Sequence, residues 1–305
     1  NLFLYRLNQK QFKTLKMKIK QLFFLLSLLF YTSISFAQSW VQRGVELNGQ
    51  ANYESFGYAT DISADGNIMA IGIPYNSDVA TSAGQVKVYL WNGNAWEQLG
   101  DDLNGEDQED RMGYSLSLSA DGNTIAIGAP EVDNPTIEVG HVKVFNWTGS
   151  DWQQQGATIT GAGLEFGWAV SLSADGETLA VSAFGTNGNE RIFSWDGATW
   201  NQKGQSIPEE FPNDLAGYSI DLSGDGNTIA IGAPLNSEVA NSAGHTRVFN
   251  WNGTDWVQRG SDIDGEEIGD DGGSSVSLSA DGTTLATGAP WHRVDGTNTG
   301  HVRIM

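Results

Sequence analysis

One sequence pattern occurs five times along this 305-residue chain. Its marker, Trp-x-Gln-x-Gly, begins at Trp40, Trp96, Trp152, Trp200 and Trp256, so successive copies lie 56, 56, 48 and 56 residues apart. A fixed period of roughly 40 to 50 residues is typical of β-propellers, in which each copy forms one four-stranded blade. The difference in spacing indicates that insertions fall between strands rather than within them.

Within each copy the hydrophobic period is two, which is the period of a strand. In the second copy, residues 115–119 and 125–128 alternate bulky aliphatic side chains with Ser, Ala or Gly, and an Asp121-Gly122 turn joins the two runs. Such a sheet can lay its bulky face on the small face of the next copy. The sequence therefore predicts an all-β fold, a β-propeller of four-stranded antiparallel blades.

The two ends of the chain are out of register with the repeat. Trp40–Gly49 reads as a fourth strand with no first three, whereas Gly273–Met305 supplies three strands with no fourth. An open ring would leave an unpaired strand edge, so we expect the N-terminal strand to complete the C-terminal blade and make five blades. Because Met305 falls inside the third strand of that blade, we also expect the natural protein to continue beyond it.

Residues 1–37 differ in composition from the rest and are predicted to be a leader. Lys18 and Lys20 precede an apolar run from Leu22 to Phe36 that ends in a small-x-small cleavage site, as in a secretory signal peptide starting at Met17. A transmembrane anchor is the alternative, but it needs about 20 apolar residues and this run is shorter and interrupted by serines. We therefore expect a secreted or cell-surface protein whose repeats occupy residues 38–305.

The charge balance excludes several partners. Six of the 16 basic residues precede Ala37, which leaves 10 basic against 37 acidic residues in the exported part. Such a surface repels phosphate backbones and anionic lipid, so we expect neither nucleic acid nor membrane insertion of the mature chain. The chain has no cysteine, which excludes disulfides, thiolate metal sites and cysteine nucleophiles.

Several short motifs recur in a fixed order. Gly-Tyr or Gly-Trp (as at Gly113-Tyr114 and Gly167-Trp168) is followed by Gly-Ala-Pro (as at Gly128-Ala129-Pro130) and then by Gly-His-Val-Lys-Val-Phe from Gly140. This order resembles the FG-GAP repeat, which builds the β-propeller of integrin α subunits and of many exported bacterial proteins. The resemblance implies an adhesion or surface role without implying an activity, and only Phe56-Gly57 and Phe166-Gly167 keep the Phe-Gly dipeptide.

Many FG-GAP repeats bind calcium in the hairpin between their first two strands. The copies here that come nearest to such a loop are the first, with Asp61, Ser63 and Asp65, and the fourth, with Asp221, Ser223 and Asp225. If calcium binds, we expect it at these six residues. Calcium normally takes six to eight oxygen ligands, so a hairpin that closes without metal is the favoured alternative, and no other cofactor is expected.

The paired tryptophans and the histidines at one repeat position could each be structural or functional. Paired tryptophans flank a four-residue loop in the Trp91/Trp96 hairpin and its counterparts, and we interpret them as cross-strand packing rather than as sugar platforms. His141, His245 and His301 share one repeat position with Gln85 and Asn189, so a polar strand position is favoured over a metal or catalytic histidine.

Function is expected on the face that carries the long, variable connections, near the central axis. The favoured class is a non-catalytic binding or adhesion module for an extracellular protein or glycan. The alternative is an extracellular hydrolase or lyase with its site at the axial mouth. Candidate residues for that alternative are Glu109, Asp110, Arg111, His292 and Arg293, although charged residues in surface loops are usually solvated.

Overall fold

The computed structural model describes residues 40–130, 139–161, 165–183, 189–294 and 296–305. Its contacts divide the chain into residues 1–43 and residues 44–305. Of the first unit only residues 40–43 are described, and they contain no strand. The predicted signal peptide lies outside the described residues. Among the residues that are described, no helix has the length and apolar composition needed to cross a membrane.

Four antiparallel sheets of the same design follow one another in the second unit. The first contains β1 (Thr60–Ile62), β2 (Ile68–Ile73), β3 (Gln85–Trp91), β4 (Trp96–Gln98) and β5 (Leu103–Asn104). The second contains β6 (Ser115–Leu118), β7 (Thr124–Ala129), β8 (His141–Trp147), β9 (Trp152–Gln154) and β10 (Ile159–Thr160). The third contains β11 (Phe166–Leu172), β12 (Thr178–Ala183), β13 (Asn189–Trp195), β14 (Trp200–Gln202) and β15 (Ile207–Pro208). The fourth contains β16 (Ser219–Leu222), β17 (Thr228–Ala233), β18 (His245–Trp251), β19 (Trp256–Gln258) and β20 (Ile263–Asp264).

The fourth strand of each blade is divided into two pieces that both pair with the third strand. In the first blade, β4 pairs with the end of β3 through Trp91 and Trp96, and β5 pairs with its start through Gln85 and Asn104. With this division the sheets are the four-stranded antiparallel blades that the sequence predicts, which confirms the all-β propeller fold class.

The last sheet is a partial blade. It contains β21 (Ser275–Leu278), β22 (Leu285–Ala289) and β25 (His301–Ile304), with a small hairpin of β23 (Arg293–Val294) and β24 (Thr297–Asn298) inserted before the last strand. The sequence predicts that Trp40–Gly49 supplies a fourth strand to this sheet. Residues 40–49 are described and contain no strand, so that pairing is not among the strand pairs of the structure.

The core lies between consecutive blades, as the alternation of bulky and small residues predicts. Ala70 on the first blade packs with Leu116 and Ile127 of the second blade in one buried cluster. In the same way, Ala126 packs with Leu179 of the third blade, and Ala180 packs in a third cluster with residues of the fourth. Each of the three boundaries among the first four blades therefore buries its own apolar cluster.

The second strand of one blade comes almost backbone to backbone with the start of the next blade. A Cβ atom added at Gly128 would lie 2.1 Å from the carbonyl oxygen of Gly167, and one added at Gly232 would lie 1.9 Å from that of Gly273. A side chain at either glycine would push the two blades apart. The third blade has Ser182 at this position, which makes its boundary with the fourth blade different from the others.

Two kinds of connection lie at opposite ends of the blades. At one end, the Asp-Gly turns lie beside the Trp hairpins, since the Trp91 backbone N–H donates to the carbonyl of Asn67 at 2.8 Å. We call this end the hairpin face. At the other end lie the long connections after the second strands, such as 74–84 and 234–244, and the crossings between blades, such as 105–111 and 265–271. We call this end the loop face.

Candidate functional site on the loop face

The loops of the loop face are bonded to one another. In the first blade, the backbone N–H groups of Glu109 and Met112 donate to the carbonyls of Thr81 and Ala83 at 2.9 and 3.0 Å. In the fourth blade, Gly272 donates in the same way to Ala243 at 2.8 Å. Backbone pairing between a long connection and a crossing loop fixes both, so their side chains are presented from an ordered surface.

Aromatic rings form a continuous row where the innermost strands begin. The row consists of one residue from each of the first four blades: Tyr58, Tyr114, Trp168 and Tyr218. Neighbouring ring centroids lie 4.8, 4.9 and 6.0 Å apart, and the rings are mutually tilted by 43° to 47°. Tyr58 and Tyr218 at the ends of this aromatic row are 47% and 39% exposed. Because the first strands of consecutive blades contact each other, the row lies at the axial end of the loop face.

The turn before each ring is held in an uncommon backbone conformation. The residue two positions before the glycine of the Gly-Tyr or Gly-Trp motif, or of Gly273-Ser274 in the fifth copy, has a φ between 52° and 59°. These residues are Ser55, Arg111, Glu165, Leu215 and Asp271. L-residues rarely adopt this left-handed conformation, so its presence in all five copies shows that the fold of the repeat holds the turn in place. A backbone bond of 3.0 to 3.1 Å closes the turn in each of the four copies that carry an aromatic residue.

The predicted catalytic candidates lie in two separate places. Asp110 is 4% exposed and its Oδ2 accepts the backbone N–H groups of Glu106 and Asp107, so it holds its own loop. Arg111 lies 3.6 Å from Glu109 and over the ring of Tyr75. These groups belong to the boundary between the first and second blades.

The other two candidates lie in the last blade. The Nδ1 atom of His292 is 3.0 Å from Oδ2 of the buried Asp270, and Arg293 is exposed and donates to Asn298. The hydrogen bond and charge of Asp270 raise the pKa of His292. The sequence-predicted set is therefore not brought together into one site.

The residues predicted as calcium ligands are engaged with other partners. Ser63 Oγ donates to Asp65 Oδ1 at 2.7 Å, and the same bond occurs in the other four hairpins, including that of Ser223 and Asp225 at 2.6 Å. Asp65 also accepts from Asn67, and these bonds lower its pKa. Calcium in these hairpins stays a prediction.

The two remaining carboxylates of that set are directed at the next blade. Asp61 Oδ2 accepts the backbone N–H of Leu118 at 2.7 Å, and Asp221 Oδ2 accepts that of Leu278 at 2.6 Å. Burial raises the pKa of both carboxyl groups. Each of them therefore bonds its own blade to the following one.

The Trp hairpins show the geometry expected of packing. The rings of Trp147 and Trp152 lie 5.4 Å apart, and Trp152 Nε1 donates to the carbonyl of Leu99 in the preceding blade at 2.8 Å. Trp200 and Trp256 make the equivalent bond to the second and third blades. These indoles stabilise the contact between blades at the hairpin face.

Acidic residues converge around one histidine on the loop face. His245 is 0% exposed at the start of β18, and its Nδ1 lies 3.5 Å from Glu210 Oε2 and 3.8 Å from Asp262 Oδ2. One ligand atom from each of these three residues lies within 4.8 Å of the other two, and Glu238 and Asp264 form a second such group with Asp262. We call these five residues the His245 cluster. Burial lowers the pKa of His245, and burial together with the charge of Asp262 raises that of Glu210.

A comparable group occurs at the next boundary. Glu266, His292 and His301 also place one ligand atom each within 4.8 Å of the others, and the two imidazole rings lie 4.0 Å apart. In this group His292 is already bonded to Asp270, and the Arg303 guanidinium lies 3.9 Å from Glu266. Both groups could hold a cation, but the second is partly satisfied by the protein itself.

Glu190 is a buried charged residue that the sequence analysis does not single out. Its side chain is 0% exposed and neither carboxylate oxygen has a hydrogen-bond partner in another described residue. Burial raises its pKa to about 7. The other copies place Val86, Val142, Thr246 and Val302 at this position, so a comparison of the repeats would have found the exception.

Comparison with solved structures returns β-propellers of low sequence identity. The β-propeller domain of the Trilobed protease from Pyrococcus furiosus, described as having an open velcro topology, is 12% identical over 79% of this chain with a TM-score of 0.47. The Cps50 (Swd1) β-propeller domain from Myceliophteria thermophila is 10% identical over 83% of the chain with a TM-score of 0.49. The chain spans 66% and 65% of those two chains, just under two thirds of their length. Likenesses of this strength say nothing about function.

Sequence comparisons add no family. No family model matches the chain, and no curated protein matches it. The assignment of the fold therefore depends on the blades described above.

Proposed function

We propose that this chain is a non-catalytic binding or adhesion β-propeller that recognises an extracellular protein or glycan on its loop face. The observation that supports this most is the aromatic row. Four flat, partly exposed rings lie side by side at the axial end of a face whose loops are fixed by backbone bonds. Such rings can stack on sugar rings or pack against apolar side chains, while their polar atoms bond to the ligand.

The acidic loops around the row would select the ligand by charge. The crossing loops contribute Asp107 and Glu109 in one copy and Glu266 and Glu267 in another. An acidic rim favours partners that carry cationic or hydrogen-bond-donating groups, and it repels nucleic acid. The order of the Gly-Tyr and Gly-Ala-Pro motifs leads us to propose, in addition, a relationship to exported FG-GAP propellers.

The binding proposal is tested by probing glycan and protein arrays with the purified protein and with two variants. Trp168→Ala removes a ring from the middle of the row, and Val257→Ala shortens an apolar side chain that is 50% exposed on the outer strand β19. We expect at least one ligand whose binding weakens about tenfold or more in the first variant and is unchanged in the second. A ligand whose binding is unaffected by removing any ring of the row would contradict this placement of the site.

Export is proposed from the predicted leader and has its own test. Cleavage after Ala37 should leave a mature protein that begins at Gln38. Mass spectrometry of the protein recovered from the culture medium or the cell surface would measure this N-terminus. A product that stays inside the cell with residues 17–37 attached would contradict export.

The enzymatic alternative makes a different prediction. A hydrolase or lyase would turn over chromogenic glycosides or peptides, and its activity would fall by orders of magnitude on changing a single carboxylate of the loop face. The buried Asp110 and Asp270 each accept backbone N–H groups of their own loops, which is a structural use of a carboxylate. Turnover that survives Trp168→Ala but is lost in a carboxylate variant would favour the enzyme.

A further inference from the structure

Polar groups of the His245 cluster are buried without partners. Neither ring nitrogen of His245 has a hydrogen-bond partner among the described residues, and the buried Oδ1 of Asp264 also has none. A polar group that is buried without a partner destabilises the fold, so such groups usually indicate a missing water, ion or ligand. Here the imidazole faces two carboxylates, Glu210 and Asp262, at 3.5 and 3.8 Å.

In the first blade, the side chains at the positions of His245 and Asp264 are hydrogen-bonded to each other. Gln85 and Asn104 are Cα partners there, as His245 and Asp264 are in the fourth blade. Gln85 Nε2 donates to Asn104 Oδ1 at 2.9 Å. In the fourth blade, an imidazole and a carboxylate replace these two amides and do not bond to each other.

The basic residue on the third strand of each blade also has different partners in different blades. Lys87 in the first blade pairs with Asp102 at 2.9 Å, and Asp102 is the counterpart of Asp262. In the second blade, Lys143 pairs at 2.7 Å with Glu106, the counterpart of Glu210. In the fourth blade, Arg247 directs Nη2 to the carbonyl of Pro208 at 2.8 Å. The fourth blade therefore combines both acidic positions with a basic residue that bonds a backbone carbonyl, although the charge of Arg247 still acts on Glu210 and His245.

We propose that the His245 cluster binds one divalent transition-metal ion, with Glu210, His245 and Asp262 as its ligands. A metal–ligand bond is about 2.0–2.2 Å long, so adjacent ligand atoms in a tetrahedral site lie about 3.3–3.6 Å apart. The His245 Nδ1 atom lies 3.5 Å from Glu210 and 3.8 Å from Asp262, so these two separations need to close by at most a few tenths of an ångström. The ligand oxygens of the two carboxylates lie within 4.8 Å of each other. Glu238 and Asp264 lie close enough to supply a further ligand or to hold a bound water.

The ligand set selects the class of metal. Calcium and magnesium prefer oxygen ligands, whereas imidazole nitrogen together with carboxylate suits zinc or manganese. The carboxylates are partly exposed, with Glu210 at 32% and Asp262 at 17%, while the histidine lies beneath them at 0%. An ion can therefore enter from the loop face and reach the imidazole. This location is distinct from the Asp-Gly hairpins, where calcium is predicted.

The test is a titration of the purified protein with zinc by calorimetry and with manganese by electron paramagnetic resonance. We expect one equivalent of each metal to bind at this site, zinc more tightly than manganese, and calcium at least about tenfold more weakly than zinc. The decisive variant is Glu210→Gln combined with His245→Gln and Asp264→Asn. It places at these positions the residues of the first blade, Gln50, Gln85 and Asn104, and so should fold.

That triple variant should lose the metal equivalent. The single change Glu210→Gln alters only a partly exposed side chain and should weaken binding about tenfold or more, which keeps the test valid if the triple variant is unstable. His301→Gln is the matched control, because it changes the same repeat position in the next blade and should leave this equivalent bound. Flat titrations with both metals, or an equivalent that persists in Glu210→Gln and in the triple variant, would overturn the proposal.

Discussion

The carboxylate of Asp221 joins three blades, because it accepts the hydroxyl of Ser171 in the blade before and the backbone N–H of Leu278 in the blade after. Serines occupy the position of Asp221 in the second and third blades and also accept a backbone N–H of the next blade. Ser117 Oγ accepts that of Leu172, and Ser171 Oγ accepts that of Leu222, each at 3.0 Å. A side-chain oxygen at this repeat position thus satisfies one backbone donor of the next blade.

We expect Asp221→Ala to lower the free energy of unfolding by about 1–3 kcal/mol, because the Leu278 N–H loses its acceptor. Asp221→Ser should recover most of this loss, since serine serves at the same position in other copies. Urea unfolding midpoints measure both variants. Equal destabilisation by Ala and Ser would show that the charge, rather than the acceptor, matters.

Glu190 should make the stability of the protein depend on pH. Its pKa is about 7 in the folded state and near 4.5 when exposed, so between these values the folded state holds a proton that the unfolded state has released. Stability contributed by this proton is complete below about pH 4.5 and is lost as the pH rises through 7. At pH 8, Glu190→Gln should therefore be more stable than the natural protein by on the order of 3 kcal/mol.

Unfolding in urea at pH 5 and at pH 8 checks the Glu190 prediction. The advantage of the glutamine variant should be large at pH 8 and small at pH 5. Glu190→Val, which installs the residue of the first and second copies, is the matched variant and should behave in the same way. A pH dependence identical in all three proteins would mean that Glu190 does not titrate in this range.

Gly128→Ala should separate the second and third blades. The added Cβ would lie 2.1 Å from the Gly167 carbonyl oxygen, which is backbone and cannot rotate away. Overpacking of this kind typically costs 1–3 kcal/mol, so the thermal midpoint should fall by several degrees. Calorimetry measures the shift, and an unchanged midpoint would show that the blades can move apart without cost.

Trp152→Ala should affect stability without affecting ligand binding. The indole is 6% exposed and bonded to the preceding blade, so its removal should cost about 3–5 kcal/mol. Binding measured well below the new melting temperature should stay at the natural affinity. A stable variant that has lost glycan binding would instead assign the Trp hairpins to the ligand site.

Calcium is not expected to stabilise the Asp-Gly hairpins. Asp65 and Asp225 already accept hydrogen bonds from Ser and Asn within their own turns, so the turn closes without an ion. We expect the melting temperature to be the same in EGTA and in millimolar calcium. A calcium-dependent rise that disappears in Asp65→Asn or Asp225→Asn would support the hairpin sites.

The sequence predicts those parts of the fold that depend on local pattern. Alternation in residues 115–119, the Asp-Gly turns and the Trp spacing correspond to the strands, hairpins and bulky-on-small packing of the structure. The sequence does not predict that each fourth strand is split into two pieces, such as β4 and β5, because the interruption depends on where the outer strand leaves its partner. Both pieces pair with the third strand.

The candidate site was harder to predict. Tyr114 and Trp168 are 54 residues apart, and only the approach of consecutive blades brings their rings into contact. For His245 the sequence indicates only a polar strand residue, because the acidic residues around it come from separate parts of the chain. Only Glu190 carried a sequence signal of its own, as a charge at a position that is otherwise apolar or Thr.

The shared geometry of Gln85 with Asn104 and of His245 with Asp264 shows how a repeat fold can acquire new chemistry. The main chain fixes where these side chains start, so an amide pair can be exchanged for an imidazole and a carboxylate while the strands keep their register. The side chains at one boundary between blades can therefore change while the other boundaries keep the residues that hold the fold together.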